Sequence, residues 1–208
     1  MPIKSFNKTS TSVTIAVLAW FALGLQLALM LRNAPAIGFS TEATLINFLS
    51  YFTILSNLMV AITLTVKKDS TFSNVRVQSA IAVYIFIVGL VYNLVLRNIW
   101  SPKGWQLVAD NLLHVVVPAL YIIYWFFFVP QKVLHWKHLF PWLIFPLLYL
   151  VYSLIRGDQT GWYPYPFLNT ELHGYGKVLL NATFVLIAFL ITSLALISIN
   201  RAGKVKRT

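Results

Sequence analysis

The sequence predicts an all-α, polytopic integral membrane protein, a six-helix transmembrane bundle forming one domain over residues 1–208, with N- and C-termini cytoplasmic. Three observations carry that expectation. Hydrophobic residues make up 59% of the chain and charged residues only 10%, against about 25% charged in an ordinary soluble domain. The apolar residues fall into long runs parted by short polar segments, the pattern of membrane-crossing helices. The basic residues collect on alternate connections, as membrane topology requires.

Six apolar runs are long enough to cross about 30 Å of hydrocarbon as helices: 11–31, 43–66, 77–96, 109–129, 139–155 and 177–199. The first follows a basic leader and precedes Ala34-Pro35-Ala36, as a cleaved signal would. Its apolar run of about twenty residues exceeds the 7–15 of a signal-peptide core, so it is expected to stay as an anchor. The fifth starts beside Pro141 and contains Pro146, which predicts a kink or a later start. On one side of the expected membrane lie Lys4, Lys8, Lys67, Lys68, Arg76, Lys132, Lys137, Arg201, Lys204, Lys206 and Arg207, opposed only by Asp69. The other side holds Arg32, Arg97, Lys103, Arg156 and Lys177 with Glu42, Asp110, Asp158 and Glu171. The positive-inside rule puts the first side in the cytoplasm of a bacterial inner or plasma membrane.

Composition also excludes chemistry. The chain has no cysteine, so disulfides, zinc–thiolate sites, iron–sulfur clusters and a Cys nucleophile are ruled out. The net charge of +11 reads as topology rather than as a nucleic-acid surface. There is no nucleotide-binding loop, HExxH zinc motif or GxSxG elbow. His135 and His138 flank Lys137 without an acidic neighbour, a weak metal signal. No metal and no cofactor are expected, and the expected partners are membrane lipids.

Function in such a chain is sought among polar groups at membrane depth, where they are expensive. On a straight helix, Asn47, Ser50, Thr53, Ser56 and Asn57 would share roughly one half of the second span. Thr53 would lie near the midplane. In the fourth span Asp110, Asn111, His114, Pro118, Tyr121 and Trp125 fall on one face. Asp110 and His114 stand i, i+4, a spacing at which a carboxylate fixes the imidazole tautomer. Pro118 deprives the His114 carbonyl of its helical donor. Asn93 and Arg97 repeat the i, i+4 spacing at the end of the third span. The connection over 156–176 is rich in aromatics, including Trp162, Tyr163 and Tyr165, and is placed to fold over the mouth of a pocket. Each feature also has a purely structural reading. Span hydroxyls bond their own backbone or a neighbouring helix, Asp110 caps a helix, Arg97 snorkels, and the aromatics form an interfacial belt.

The polar second span with its Thr in "YFTILSN", the "DNLLHVVVP" helix and the "GWYPYPFLN" loop together resemble the bacterial Pr6Pr family of membrane proteins. That family is distantly similar to the eukaryotic androgen-induced-gene/FAR-17a family. The resemblance spans most of the chain in the order and spacing of its apolar runs. It implies an intramembrane hydrolase of lipid esters, namely fatty acid esters of hydroxy fatty acids or similar. The implied nucleophile is Thr53 and the implied base His114. The implied reaction comes from the eukaryotic branch.

On chemical grounds a Thr hydroxyl needs a base to take its proton, and His is the usual one near neutral pH. The oxyanion of the tetrahedral intermediate needs donors; Asn57, Asn93 and Asn111 are the candidates. Arg97 is a candidate for holding a fatty-acid carboxylate, and Trp162 and Tyr163 for contacting substrate. Straight parallel helices would separate Thr53 and His114 by an axial offset on the order of 7 Å, which tilt or the Pro118 distortion would have to close. Two other readings use the same residues. One is a lipid- or small-molecule-binding protein or transporter with a polar cavity open to the outer side. The other is a scaffold whose polar groups only join helices.

Overall fold

The computed structural model describes residues 7–66 and 70–203, all of it helix, turn or loop with no strand. Of the residues in the charge comparison above, Lys4, Lys67, Lys68, Asp69, Lys204, Lys206 and Arg207 lie outside the described ones. In chain order the helices are α1 (Lys8–Asn33), α2 (Thr41–Leu49), α3 (Phe52–Thr65), α4 (Val75–Val91), α5 (Trp105–Asn111), α6 (Val117–Phe128), α7 (Leu139–Thr160) and α8 (Thr170–Ala202). π-helical turns extend α4 through Tyr92–Leu96 and join α5 to α6 through Leu112–Val116. Five continuous helical stretches are therefore long and apolar enough to cross a membrane, and the bent pair α2–α3 makes a sixth candidate crossing.

α4 is the most enclosed of the long helices. It packs against α3, α6 and α8, while α1 covers α3, α5 and α6, and α7 lies against α8. The core is aliphatic around α4, with Ile81, Val83 and Ile85 sealed from the surface. Phe52 adds an aromatic knot with Tyr84, Phe145, Tyr149 and Phe189, its ring centroids 5.1–6.2 Å from theirs. Large apolar side chains such as Val17, Phe21, Leu148, Phe184 and Ile191 project from the outer faces. So much exposed apolar surface is untenable in water and natural in lipid. The chain is a multi-pass helical membrane protein.

The second apolar run departs most from expectation. Instead of one helix over 43–66, it folds as α2 and α3, bent by 74° at a break over Ser50 and Tyr51. No Gly or Pro marks the break. It is held by side chains from α7. Tyr149 Oη donates to Ser50 O at 2.9 Å and accepts from Phe52 N at 3.3 Å. Tyr152 Oη bonds Ser50 Oγ at 2.7 Å. Broken helices survive at membrane depth only where neighbours satisfy the freed backbone groups, and these tyrosines do so. At the other end of the chain, α8 begins at Thr170 and crosses a non-helical Gly174 with φ of 71°. The loop expected over 156–176 shrinks to 161–169, because α7 runs on to Thr160. Pro146 sits inside α7.

Candidate functional site

The break gives α3 a free N-terminus inside the protein. Its first-turn amides have no intrahelical acceptors, and the N-cap Tyr51 supplies no side-chain cap. Phe52 N–H goes to Tyr149 Oη, and Thr53 N–H donates to Tyr165 Oη at 3.1 Å. The same Tyr165 hydroxyl lies 3.1 Å from Thr53 Oγ1. Since its oxygen already accepts from Thr53 N–H, its proton is free to point at Thr53 Oγ1. The next amide, Ile54 N–H, has no hydrogen-bond partner among the described residues.

Thr53 Oγ1 lies 3.4 Å from His114 Nε2. The axial offset expected from straight helices does not arise. Thr53 is the second residue of a 14-residue helix about 21 Å long, so it does not sit midway along an unbroken span. His114 lies within the π turn between α5 and α6. That turn has a definite cause. Val117 N–H donates to Leu112 O instead of Leu113 O, and Pro118, the next residue, has no N–H to offer. The Leu113 carbonyl is thereby stranded, and Asn57 Nδ2 fills it at 3.0 Å while also bonding Thr53 O at 2.8 Å. One fully buried amide thus ties the turn that carries Thr53 to the turn that carries His114.

The second imidazole nitrogen is anchored in turn. His114 Nδ1 lies 2.9 Å from Asp110 O and 3.3 Å from Asp110 Oδ1. Both are acceptors, so in the neutral imidazole Nδ1 is the nitrogen that carries the proton and Nε2 is the acceptor that faces Thr53. Asp110 is buried, and its other oxygen accepts from Tyr92 Oη. The Tyr92 ring stacks on His114 at 4.3 Å, 16° from parallel. Thr53, His114 and Asp110 therefore form a hydrogen-bonded line, with Tyr165 closing one end and Tyr92 the other.

The line borders two hollows. The larger, about 280 Å³, is walled by Thr53, Ile54, His114 and Asp110 together with Tyr51, Trp100, Gln106 and Tyr165. The smaller, about 90 Å³, lies between α4, α7 and α8 and is lined almost wholly by aliphatic and aromatic side chains, Leu150, Val185 and Phe189 among them. Thr53, Tyr165 and Leu96 border both.

The other sequence candidates fall elsewhere. Asn57 spends both its donor hydrogens on carbonyls, so it holds the site together and is not free to meet an oxyanion. Asn93 and Arg97 are exposed; Arg97 Nη1 donates to Asn93 Oδ1 at 3.0 Å, and Asn93 Nδ2 to Gly89 O at 2.8 Å. Neither they nor the half-buried Asn111 lines the two hollows. Trp162 packs edge-on to Tyr51 at 5.5 Å and lies beneath Arg156. The Tyr163 ring covers Gly157, and its hydroxyl bonds Thr170. Sequence reasoning missed Tyr92 and gave Tyr165 no role beyond its loop. It also passed over Gln26, the one amide inside the first apolar run, whose Oε1 accepts from Gln106 Nε2 at 2.8 Å on the cavity wall. A lone amide in an apolar helix is a readable signal; Tyr92 offered none. No family model, curated protein or solved structure matches this chain.

Proposed function

We propose that the protein is an intramembrane hydrolase of lipid esters, with Thr53 as nucleophile, His114 as base and Asp110 orienting the imidazole. The observation that carries this reading is the Thr53–His114–Asp110 line, assembled from segments far apart in sequence, at 3.4 Å and 3.3 Å. A structural hydroxyl in a span bonds its own backbone or a neighbouring helix, whereas Thr53 Oγ1 faces an imidazole whose other nitrogen is already committed.

His114 Nε2 takes the Thr53 hydroxyl proton as Oγ1 attacks the ester carbonyl. The resulting oxyanion finds Ile54 N–H and the positive end of α3 beside it. The tetrahedral adduct collapses to an acyl-threonine, and the proton on Nε2 passes to the departing alcohol. Water, activated by the same nitrogen, then releases the acid. A separation of 3.4 Å is long for this bond, as is common before substrate binds. Lipid esters suit the site because a chain enters laterally between helices and the smaller hollow is apolar.

In this reading the bent pair is one crossing, giving six spans with both termini in the cytoplasm of the bacterial inner membrane, and the cleft opens toward the outer half of the bilayer. Of the eleven basic residues assigned to the cytoplasmic side, Lys8, Arg76, Lys132, Lys137 and Arg201 are among the described ones.

The test is a fluorophosphonate probe applied to purified protein in detergent. Wild type is expected to label, and monodisperse Thr53→Ala and His114→Ala are expected not to. Equal labelling of wild type and Thr53→Ala sinks the assignment. Absence of labelling in well-folded wild type turns the cavity into a lipid-binding site without hydrolysis.

A further inference from the structure

Arg156, near the C-terminal end of α7, is held in a definite pose. Its Nη2 donates to Asn47 Oδ1 at 2.6 Å, and its guanidinium lies 4.4 Å from the Trp162 ring centroid. Its Nη1 is sealed from the surface yet donates to nothing. Nor is the charge neutralised: the one carboxylate pair among the described residues is His114 with Asp110. A guanidinium cannot shed its proton, and an enclosed cation at the edge of an apolar bundle is expected to have an anionic partner.

A hollow of about 680 Å³ lies against it, lined by the polar side chains of Arg156, Asn47 and Gln159, by Trp162, and by the apolar side chains of Phe39, Ile46 and Ile155. The Gln159 side chain has no hydrogen-bond partner among the described residues and adds a second free donor. The apolar wall suits an alkyl chain. Asn47 and Trp162 also line the adjoining hollow, which shares Gln26, Tyr51, Trp100 and Gln106 with the Thr53 cavity.

We propose that Arg156 is the anion-binding centre of a lipid site: it takes the oxyanionic headgroup, carboxylate or phosphate, of a single-chain lipid whose tail lies along Phe39, Ile46 and Ile155. The guanidinium, held on one side by Asn47, lines the hollow with its charge uncompensated, and its planar fork matches an oxyanion. Trp162 keeps the plane from turning away. The site does not depend on hydrolysis at Thr53.

The test is binding of 5-doxyl-stearate to the purified full chain in a neutral maltoside detergent, read as tryptophan quenching. The methyl ester of the same probe is the comparison, and Trp162→Phe shows how much quenching comes from the ring on Arg156. A hydrogen bond to a charged group carries about 1.5–3 kcal/mol. The acid is therefore expected to bind wild type about tenfold or more tighter than it binds Arg156→Gln, with the methyl ester binding both alike. Arg156→Lys, which keeps the charge, is expected to retain the preference for acid over ester. It and the wild-type acid–ester comparison decide the matter should Arg156→Gln fail to purify as a folded protein. Displacement by lysophosphatidate but not by equal inorganic phosphate identifies a phospholipid headgroup as a natural source. Displacement by stearate alone identifies a fatty-acid carboxylate. Equal displacement by inorganic phosphate overturns the lipid assignment. Equal affinity of wild type for acid and ester, or of wild type and folded Arg156→Gln for the acid, overturns the anion site.

Discussion

Replacing Tyr165 by Phe removes a single oxygen. The ring stays, still stacked on Phe167 at 5.3 Å and edge-on to Tyr51 at 5.9 Å, so no cavity opens and packing is conserved. What disappears is the acceptor for Thr53 N–H and the partner of Thr53 Oγ1, both at 3.1 Å. Thr53 is buried, so its amide is left unpaired at a cost of about 1–3 kcal/mol. For a chain of this length each kcal/mol lowers Tm by about 2–4 °C. The hydroxyl contact to Oγ1 is worth about 0.5–1.5 kcal/mol, which predicts a further fall in labelling rate of about two- to tenfold. Tyr149→Phe is the matched control. Its hydroxyl accepts from Phe52 N and donates to Ser50 O without touching Thr53 Oγ1, so it is expected to lower Tm while leaving labelling of the folded protein near wild type. The assay is thermal unfolding in detergent by intrinsic fluorescence, run beside the fluorophosphonate labelling rate. Unchanged Tm and labelling in Tyr165→Phe would refute the claim that this hydroxyl holds the α3 terminus and Thr53 Oγ1.

Two further substitutions probe how the site is assembled. Asn57→Leu strips donors from the Leu113 and Thr53 carbonyls at a fully buried position, and is expected to cost about 2 kcal/mol or more; a thermal-unfolding curve matching wild type would show that the π turn needs no external donor. Gly89→Ala would place a Cβ 3.2 Å from His114 O and 3.5 Å from Pro118 Cβ. It is expected to push the imidazole-bearing turn outward by a few tenths of an ångström and to slow labelling more than it lowers Tm, and the reverse ranking would show that the His114 position is not set from that side.

Fold class was legible because it rests on composition and run length. About twenty consecutive apolar residues admit few structures other than a spanning helix, and α1, α4, the α5–α6 helix, α7 and α8 all lie where such runs lie. Asp110 and His114 were legible as a pair because both sit on one helix, where i, i+4 spacing sets proximity. Pro118 was legible as a disturbance, though not its outcome: the carbonyl that Asn57 rescues is Leu113's, not His114's, because the turn shifts its hydrogen bonds by one residue. The break at Ser50 and Tyr51 carried no Gly or Pro to announce it. Its backbone groups are satisfied by Tyr149 and by Tyr165, about a hundred residues away in the chain. The tertiary structure alone therefore decided that Thr53 starts a helix, that Tyr165 reaches it and that His114 faces it. Local sequence sets which segments are helical and apolar; where a helix stops inside a protein depends on which distant side chains take over its hydrogen bonds.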